Sequence, residues 1–456
     1  MEQKNPSLIK NLTEGPLTRQ LILFALPIMG ANLLQALYTI VDLWVVGQFS
    51  SSAAISAVSI SGQIVFLLHA VGIGLGNGGQ VLISQQVGAK EYDRLNRTIG
   101  TLLSVCMLFS LVAAAIGAVF NDLWLGLMNT PDDALVVARG YLVICCVGVP
   151  FVYGNGTLCA ILRGVGDSRR PMYILAVSTV INVVLDLLFV AVFHWGAAGA
   201  AWATVIAQVV GFFYALIYLY HHRAQLGFDF KPSSFKIDLP VMKVLLRLGA
   251  PLVIMSAAIN LSMMVVTSFV NVYGVAASSV SGIGSKLVSF INVVTQSVQT
   301  AAASIIAQNF AAGKLDRVRR TFWTGLSIGL MFFAIAGVLI LLFPTQIFAI
   351  FSPDPEILAY APEYMKILFW MLLSLSLMSP PIALINGVGF TVFNLLIALL
   401  DGVIARIGLS IVLGDIMGWG LTGYWWGHAL AGYVSVILGF GYYFLGTWKK
   451  RRTLLQ

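Results

Sequence analysis

The chain has 456 residues, of which 59% are hydrophobic and only 10% charged, with a mean hydropathy of +0.91. So little charge excludes an ordinary soluble domain. The formal net charge of +8 does not point to nucleic acid, because the basic residues form short clusters between apolar runs.

Taken in order, the first twenty residues hold Lys4, Lys10 and Arg19, with no short apolar core leading to a small-residue cleavage site, so no removable signal peptide is expected. The run Leu21 to Val46 follows, long enough to cross a bilayer as a helix of roughly 39 Å. It carries Pro27 early and a lone acid, Asp42, near its far end. A carboxylate at mid-bilayer is unfavourable by roughly 2.5–3.5 kcal/mol, which suggests a function. Tyr38 and Gln35 lie four and seven residues before Asp42, so three polar side chains share one helical face.

Eleven further apolar segments are predicted, at about 54–83, 98–120, 134–160, 171–193, 198–220, 241–270, 277–308, 321–343, 357–385, 391–414 and 420–446. The expected fold class is thus an all-α polytopic membrane protein with twelve transmembrane helices. With the N-terminus inside, 22 of the 26 basic residues fall in inner connections or at the termini, which predicts both termini on the cytoplasmic side. Cys106, Cys145, Cys146 and Cys159 all fall within apolar runs of the first half and read as small core residues.

The chain repeats itself at an offset of about 223 residues. Ala25-Leu26-Pro27 answers Gly249-Ala250-Pro251, Gly164-Val165-Gly166 answers Gly387-Val388-Gly389, and Trp195-Gly196 answers Trp419-Gly420. Six spans per repeat give both copies the same orientation, so two six-helix lobes related by a pseudo-two-fold axis along the membrane normal are expected, with a cavity between them. The predicted division is an N-terminal lobe at 1–220, a basic cytoplasmic linker at 221–240 and a C-terminal lobe at 241–456. Thr130 and Ser352, each followed by proline, read as helix N-caps. The glycine-rich stretch Gly72 to Gly79 lies inside a span and reads as close helix packing or local unwinding, not as a phosphate loop.

The strongest constellation adds to Asp42 the fifth span, where Asn182 and Asp186 share a face, and Thr204 in the sixth. Two carboxylates, an amide oxygen and a hydroxyl are donors that suit a hard cation such as sodium. The same set can instead hold protons, the two acids titrating as a coupled pair. The second half carries a different set: Lys286, Asp401, Arg406 and His428. His428 falls where Thr204 does in the first repeat, and Lys286 where Gln63 does. Asp401 and Arg406 are five apart, about 140° around an α-helix, so Asp401 is expected to bond across to Lys286 or His428 instead. This set reads either as a buried ion-paired network or as a substrate or proton site.

Together these residues resemble the multidrug and toxic compound extrusion (MATE) transporters of prokaryotic type, over nearly the whole chain. Pro27 with Gln35, Tyr38 and Asp42 is similar to the family's first helix. Leu162-Arg163-Gly164-Val165-Gly166-Asp167 with Pro171-Met172 is similar to the signature after span four, and Asn182 to Asp186 matches the fifth helix. The resemblance implies a secondary active antiporter that exports amphipathic, cationic organic compounds in exchange for H⁺ or Na⁺. It implies cation binding at Asp42, Asn182, Asp186 and Thr204, bending of the first helix at Pro27, and Asn155 as a cavity-facing polar residue. Two departures stand out. Where another branch of the family carries a span-seven glutamate, this chain reads Ile259-Asn260, and Gly387-Val388-Gly389 lacks the flanking arginine and aspartate of its first-half counterpart.

The expected partners are therefore a small organic molecule and the lipid bilayer, with no nucleic acid and no cofactor beyond the coupling ion. The expected setting is the cytoplasmic membrane of a prokaryote, and the expected state a monomer. A flippase for lipid-linked or polysaccharide precursors shares this architecture and is the alternative. A membrane enzyme would need a nucleophile with a base, or a metal cluster; the five histidines, His69, His194, His221, His222 and His428, show no such grouping. A passive channel is the remaining option.

Overall fold

The computed structural model describes residues 8–454; Lys4, counted among the inner bases, lies outside the described residues. No strand occurs among them, and twelve helices are long and apolar enough to cross a membrane. In the first half these are α1 Leu17–Phe49, α2 Ser52–Ala89, α3 Tyr92–Val119, α4 Asp132–Gly164, α5 Arg169–Val192 and α6 Gly196–His221. In the second half they are α7 Leu239–Asn271, α8 Val275–Ala311, α9 Leu315–Leu342, α10 Pro355–Gly387, α11 Thr391–Ile416 and α12 Gly420–Leu445. All twelve expected spans are present. Most run past their apolar segments, as α9 does by starting at Leu315, because a helix satisfies its own backbone and need not stop where the hydrocarbon does.

The chain divides into two compact units. The first holds residues 8–12 and 26–253, the second 13–25 and 254–454. The chain passes between them inside α1, at Ala25–Leu26, and inside α7, at Val253–Ile254; residues 221–240 belong wholly to the first unit. α1 stays one helix through Pro27, whose missing N–H leaves the Leu23 carbonyl without its intrahelical donor.

In the first unit the glycine stretch of α2 is a packing surface within an unbroken helix. A Cβ on Gly72 would stand 2.9 Å from the Tyr153 ring, and one on Gly74 would stand 2.9 Å from the Gly249 carbonyl oxygen. α2 thus approaches α4 and the first turns of α7 as closely as backbones allow. In the second unit Tyr364, Trp425 and Phe348 centre a buried aromatic cluster, and the Tyr364 ring lies where Gly284 has no side chain.

The predicted N-caps differ from the observed ones. Thr130 donates its hydroxyl backwards to the Leu125 carbonyl (2.8 Å), and α4 starts after Pro131 with no side-chain cap. In the second half Asp354, not Ser352, caps α10, accepting from the Glu356 N–H at 2.9 Å with Pro355 in the first turn. The pattern of hydroxyl then proline fits a turn as well as a cap, and here each hydroxyl serves the turn.

Two helices depart from α geometry. α5 ends in a π-helical stretch, Leu187–Val192, directly after Asp186. α11 contains two such stretches, Leu400–Ala405 and Val412–Ile416. Widened turns of this kind recur at functional sites.

Candidate functional site

In the first unit α1, α5 and α6 bring the predicted residues together. Asp42, Asn182 and Asp186 are 9%, 0% and 0% exposed. The Tyr38 hydroxyl and Thr204 Oγ1 are hydrogen-bonded at 2.9 Å, and Asn182 Nδ2 lies 3.5 Å from the same Thr204 oxygen. Asp42 and Asp186 lie within electrostatic range of one another and of Tyr38. The i,i+4 spacing of Asn182 and Asp186 puts both on the α5 face turned inward, as the sequence required.

What distinguishes this cluster is its unmet hydrogen-bonding capacity. Asp42 Oδ1, Asn182 Oδ1 and both carboxylate oxygens of Asp186 are buried without a hydrogen-bond partner. Four buried acceptors with no donor are costly unless a proton or cation joins them. The donor set is oxygen throughout, so it fits a hard monovalent cation or protons equally well. Beneath it pack Val45, Val46, Tyr141, Cys145, Val190 and Ala200, an apolar wall that keeps the local dielectric low.

The remaining residues distribute as follows. Gln35 is exposed on α1, one turn before Tyr38. Asn155, expected to face a cavity, is 6% exposed; its amide donates to Gln208 Oε1 at 3.1 Å, tying α4 to α6. Lys286 is exposed on α8, as Gln63 is on α2, and forms no ion pair among the described residues.

The expected partner of Asp401 needs correction. Arg406 Nη2 stands 3.6 Å from Asp401 Oδ1, and Ser435 on α12 donates its hydroxyl to Asp401 Oδ2 at 2.6 Å. The π-helical stretch Leu400–Ala405 is the reason. Its wider turn brings residues five apart onto one face, where an α-helix would hold them about 140° apart. Asp401 therefore bonds neither Lys286 nor His428; His428, half-buried on α12, lies within electrostatic range of Arg406.

Tyr141 and Ser435 were not foreseen. Tyr141 is buried beside Cys145 and within range of Asp42 and Tyr38. A tyrosine in an apolar span gives no sign of which way it faces, so nothing in the sequence pointed from Tyr141 to the site. Gln208, four residues after Thr204 on α6, was visible as a polar residue in a span, but its partner was not.

Two sequence-related halves of six spans, with uncompensated buried acids in one of them, define a polytopic membrane transporter. The chain belongs to the MatE family, whose pattern matches it twice, at residues 27–188 and 251–412. The two matches stand 224 residues apart, which agrees with the repeat read from the motifs. Among curated relatives, the "Probable multidrug resistance protein YoeA" of Bacillus subtilis is 31% identical over 454 residues, covering 98% of each chain. "Multidrug export protein MepA" of Staphylococcus haemolyticus is 26% identical over 434 residues, covering 93% of each. A crystal structure of MATE in the bent conformation superposes with a TM-score of 0.89 at 20% identity, covering 96% of this chain and 98% of that one. A MOP superfamily transporter from Pyrococcus furiosus also reaches 0.89 at 20% identity, covering 99% and 100%. These last likenesses are of fold.

Proposed function

We propose that the protein is a multidrug efflux antiporter of the cytoplasmic membrane, with both termini inside, that exports amphipathic cationic organic compounds in exchange for H⁺ or Na⁺. The observation that carries this reading is the pair Asp42 and Asp186, buried together with no basic partner and with three of their four carboxylate oxygens unbonded. The coupling ion is cargo here: Asp42, Asp186, Asn182 and Thr204 supply its oxygens, and Tyr38 holds the Thr204 hydroxyl in place. Binding of one cation lowers the negative charge of the acid pair by one, and that changes how α1 packs on α5 and α6. Pro27 is where the change is absorbed, because the helix lacks a hydrogen bond there. A bound cation shifts the equilibrium between states of different substrate affinity, and reciprocity requires substrate to shift cation affinity equally. The names of the relatives support export of drugs over flipping of lipid precursors.

The test is export of a cationic dye by reconstituted protein, with proton and sodium gradients imposed separately. Asp42→Asn and Asp186→Asn should each lose at least about tenfold of the gradient-driven rate, the scale of one lost charge-assisted contact. Wild-type coupling in both variants would refute the assignment, and export that ignores both gradients in the wild type would refute antiport.

A further inference from the structure

Basic residues gather at the start of α3, and one of them has an acidic partner close by. Arg94 is 3.1 Å from Glu91. Arg97 is exposed and forms no ion pair among the described residues; Lys236, in the segment leading into α7, is likewise exposed and unpaired. Both line an open cleft of about 360 Å³ with Asn96, Ser233, Ser234, Ile237 and Asp238. All of these belong to the first unit.

This cleft is built, not a gap between loose ends. Phe228 is fully buried, and Gly100 on α3 lets the Ser234 carbonyl come so close that a Cβ there would overlap it. Ser104 Oγ donates to the Phe235 carbonyl at 2.7 Å, and the Asp238 N–H donates to Thr101 Oγ1 at 3.0 Å. The segment is thus fastened to α3 on both sides of Lys236. Asp238, the one acid in the wall, turns its carboxylate to the start of α7, where Oδ1 accepts from the Val241 N–H at 3.2 Å. Asp229 likewise is engaged elsewhere, with Ser234 Oγ at 2.5 Å and Lys231 Nζ at 3.6 Å. Two unpaired cations therefore face the cleft. A further unsatisfied group is Asn96 Oδ1, buried and without a hydrogen-bond donor.

Ile237 gives the cleft wall an apolar member, and Leu239 extends that surface beyond it. Ile237 and Leu239 are 40% and 59% exposed, and Tyr92 lies exposed at the same end of α3. A ligand here meets two cations, with aliphatic surface beside them. We infer that the cleft formed by the start of α3 and residues 233–238 binds an anionic phospholipid, its phosphate between Arg97 and Lys236. Its chains lie along Ile237 and Leu239. Basic pockets at the cytoplasmic ends of spans recognise anionic headgroups in this way. The site is separate from Asp42 and Asp186 and does not depend on the ion they bind.

Native mass spectrometry of the full chain, released from micelles doped with phosphatidylglycerol and phosphatidylcholine, tests this. Wild-type protein should retain one phosphatidylglycerol in preference to phosphatidylcholine, and Arg97→Gln with Lys236→Gln should hold it roughly thirtyfold more weakly. The exchange of the two cations, Arg97→Lys with Lys236→Arg, should keep the lipid, as should Arg94→Gln, whose cation is already paired. Inorganic phosphate at millimolar concentration should not displace the lipid. Equal retention by wild type and the double glutamine variant overturns the proposal. So does full displacement by inorganic phosphate, which would make the cleft a site for the free anion.

Discussion

The two halves of the chain carry the same fold and opposite solutions to a buried carboxylate. In the first half, Asp42 and Asp186 share a cluster with no basic residue, and their oxygens are largely unbonded. In the second half, Asp401 is held by Arg406 at 3.6 Å and by Ser435 at 2.6 Å. At the offset of 224 that relates the two halves, Arg406 stands where Asn182 stands, Ser410 where Asp186 stands, Val266 where Asp42 stands and His428 where Thr204 stands. Both acids of the first half are thus absent at the matching positions of the second, Asp401 stands where Val177 stands, and a guanidinium replaces the amide, so the second cluster supplies its own positive charge. α11 keeps the π-helical stretch of α5, since Val412–Ile416 answers Leu187–Val192 at that offset, and adds another, Leu400–Ala405, that puts Asp401 and Arg406 on one face. A buried acid with an internal cation has little to gain from an external one. The comparison therefore leaves the first half's acids without a basic partner and gives the second half's acid one.

The most direct way to break this contrast is to make the first half resemble the second. Asn182→Arg places a guanidinium beside Asp186 and Asp42, and a unit charge at about 4 Å in a partly screened interior is worth on the order of 4 kcal/mol, about a thousandfold in cation affinity. Gradient-driven export should vanish while the protein still elutes as a single folded species. Export that continues to follow the gradient would remove the charge argument. The reverse change is expected to act on stability. Arg406→Leu leaves Asp401 buried with only Ser435, which should cost about 3–5 kcal/mol, read as a lower unfolding temperature of the purified protein. Adding Asp401→Asn should recover most of that loss, because the uncompensated charge is gone. If the double variant is as unstable as the single one, Arg406 acts through packing, not through its charge.

Much of the first-half cluster was legible because membrane burial makes a carboxylate expensive, so Asp42 and Asp186 stood out, and i,i+4 spacing set Asn182 beside Asp186. The twelve spans were legible for a related reason: each is an apolar run bounded by charge or by turn residues. The Asp401–Arg406 pair was not, since reading faces from sequence assumes 3.6 residues per turn and nothing in Leu400 to Ala405 announces a wider one. Asn155 shows a different limit. Its polarity was visible, but whether it met open space or the Gln208 side chain depended on how α4 packs on α6. Thr130 shows a third, because a hydroxyl before proline can serve the helix that follows or the turn that precedes it, and here it bonds back to Leu125.

The smallest expected effect sharpens the comparison from the second half. Ser435→Ala removes one hydrogen bond to Asp401 Oδ2 but leaves Arg406 in place. A hydrogen bond to a charged group contributes about 1.5–3 kcal/mol, and the remaining ion pair limits the loss to the lower end. Unfolding should shift by a few degrees, with export and its dependence on either gradient unchanged, because no part of the first-half cluster is touched. The matching change in the first half is Thr204→Ala, which removes the hydroxyl shared by Tyr38 and Asn182. Its cost in stability should be similar, yet it should also weaken the response to the driving ion, since that oxygen belongs to the donor set. If both substitutions alter coupling alike, the two halves take part in ion response together and Arg406 has not withdrawn the second from it.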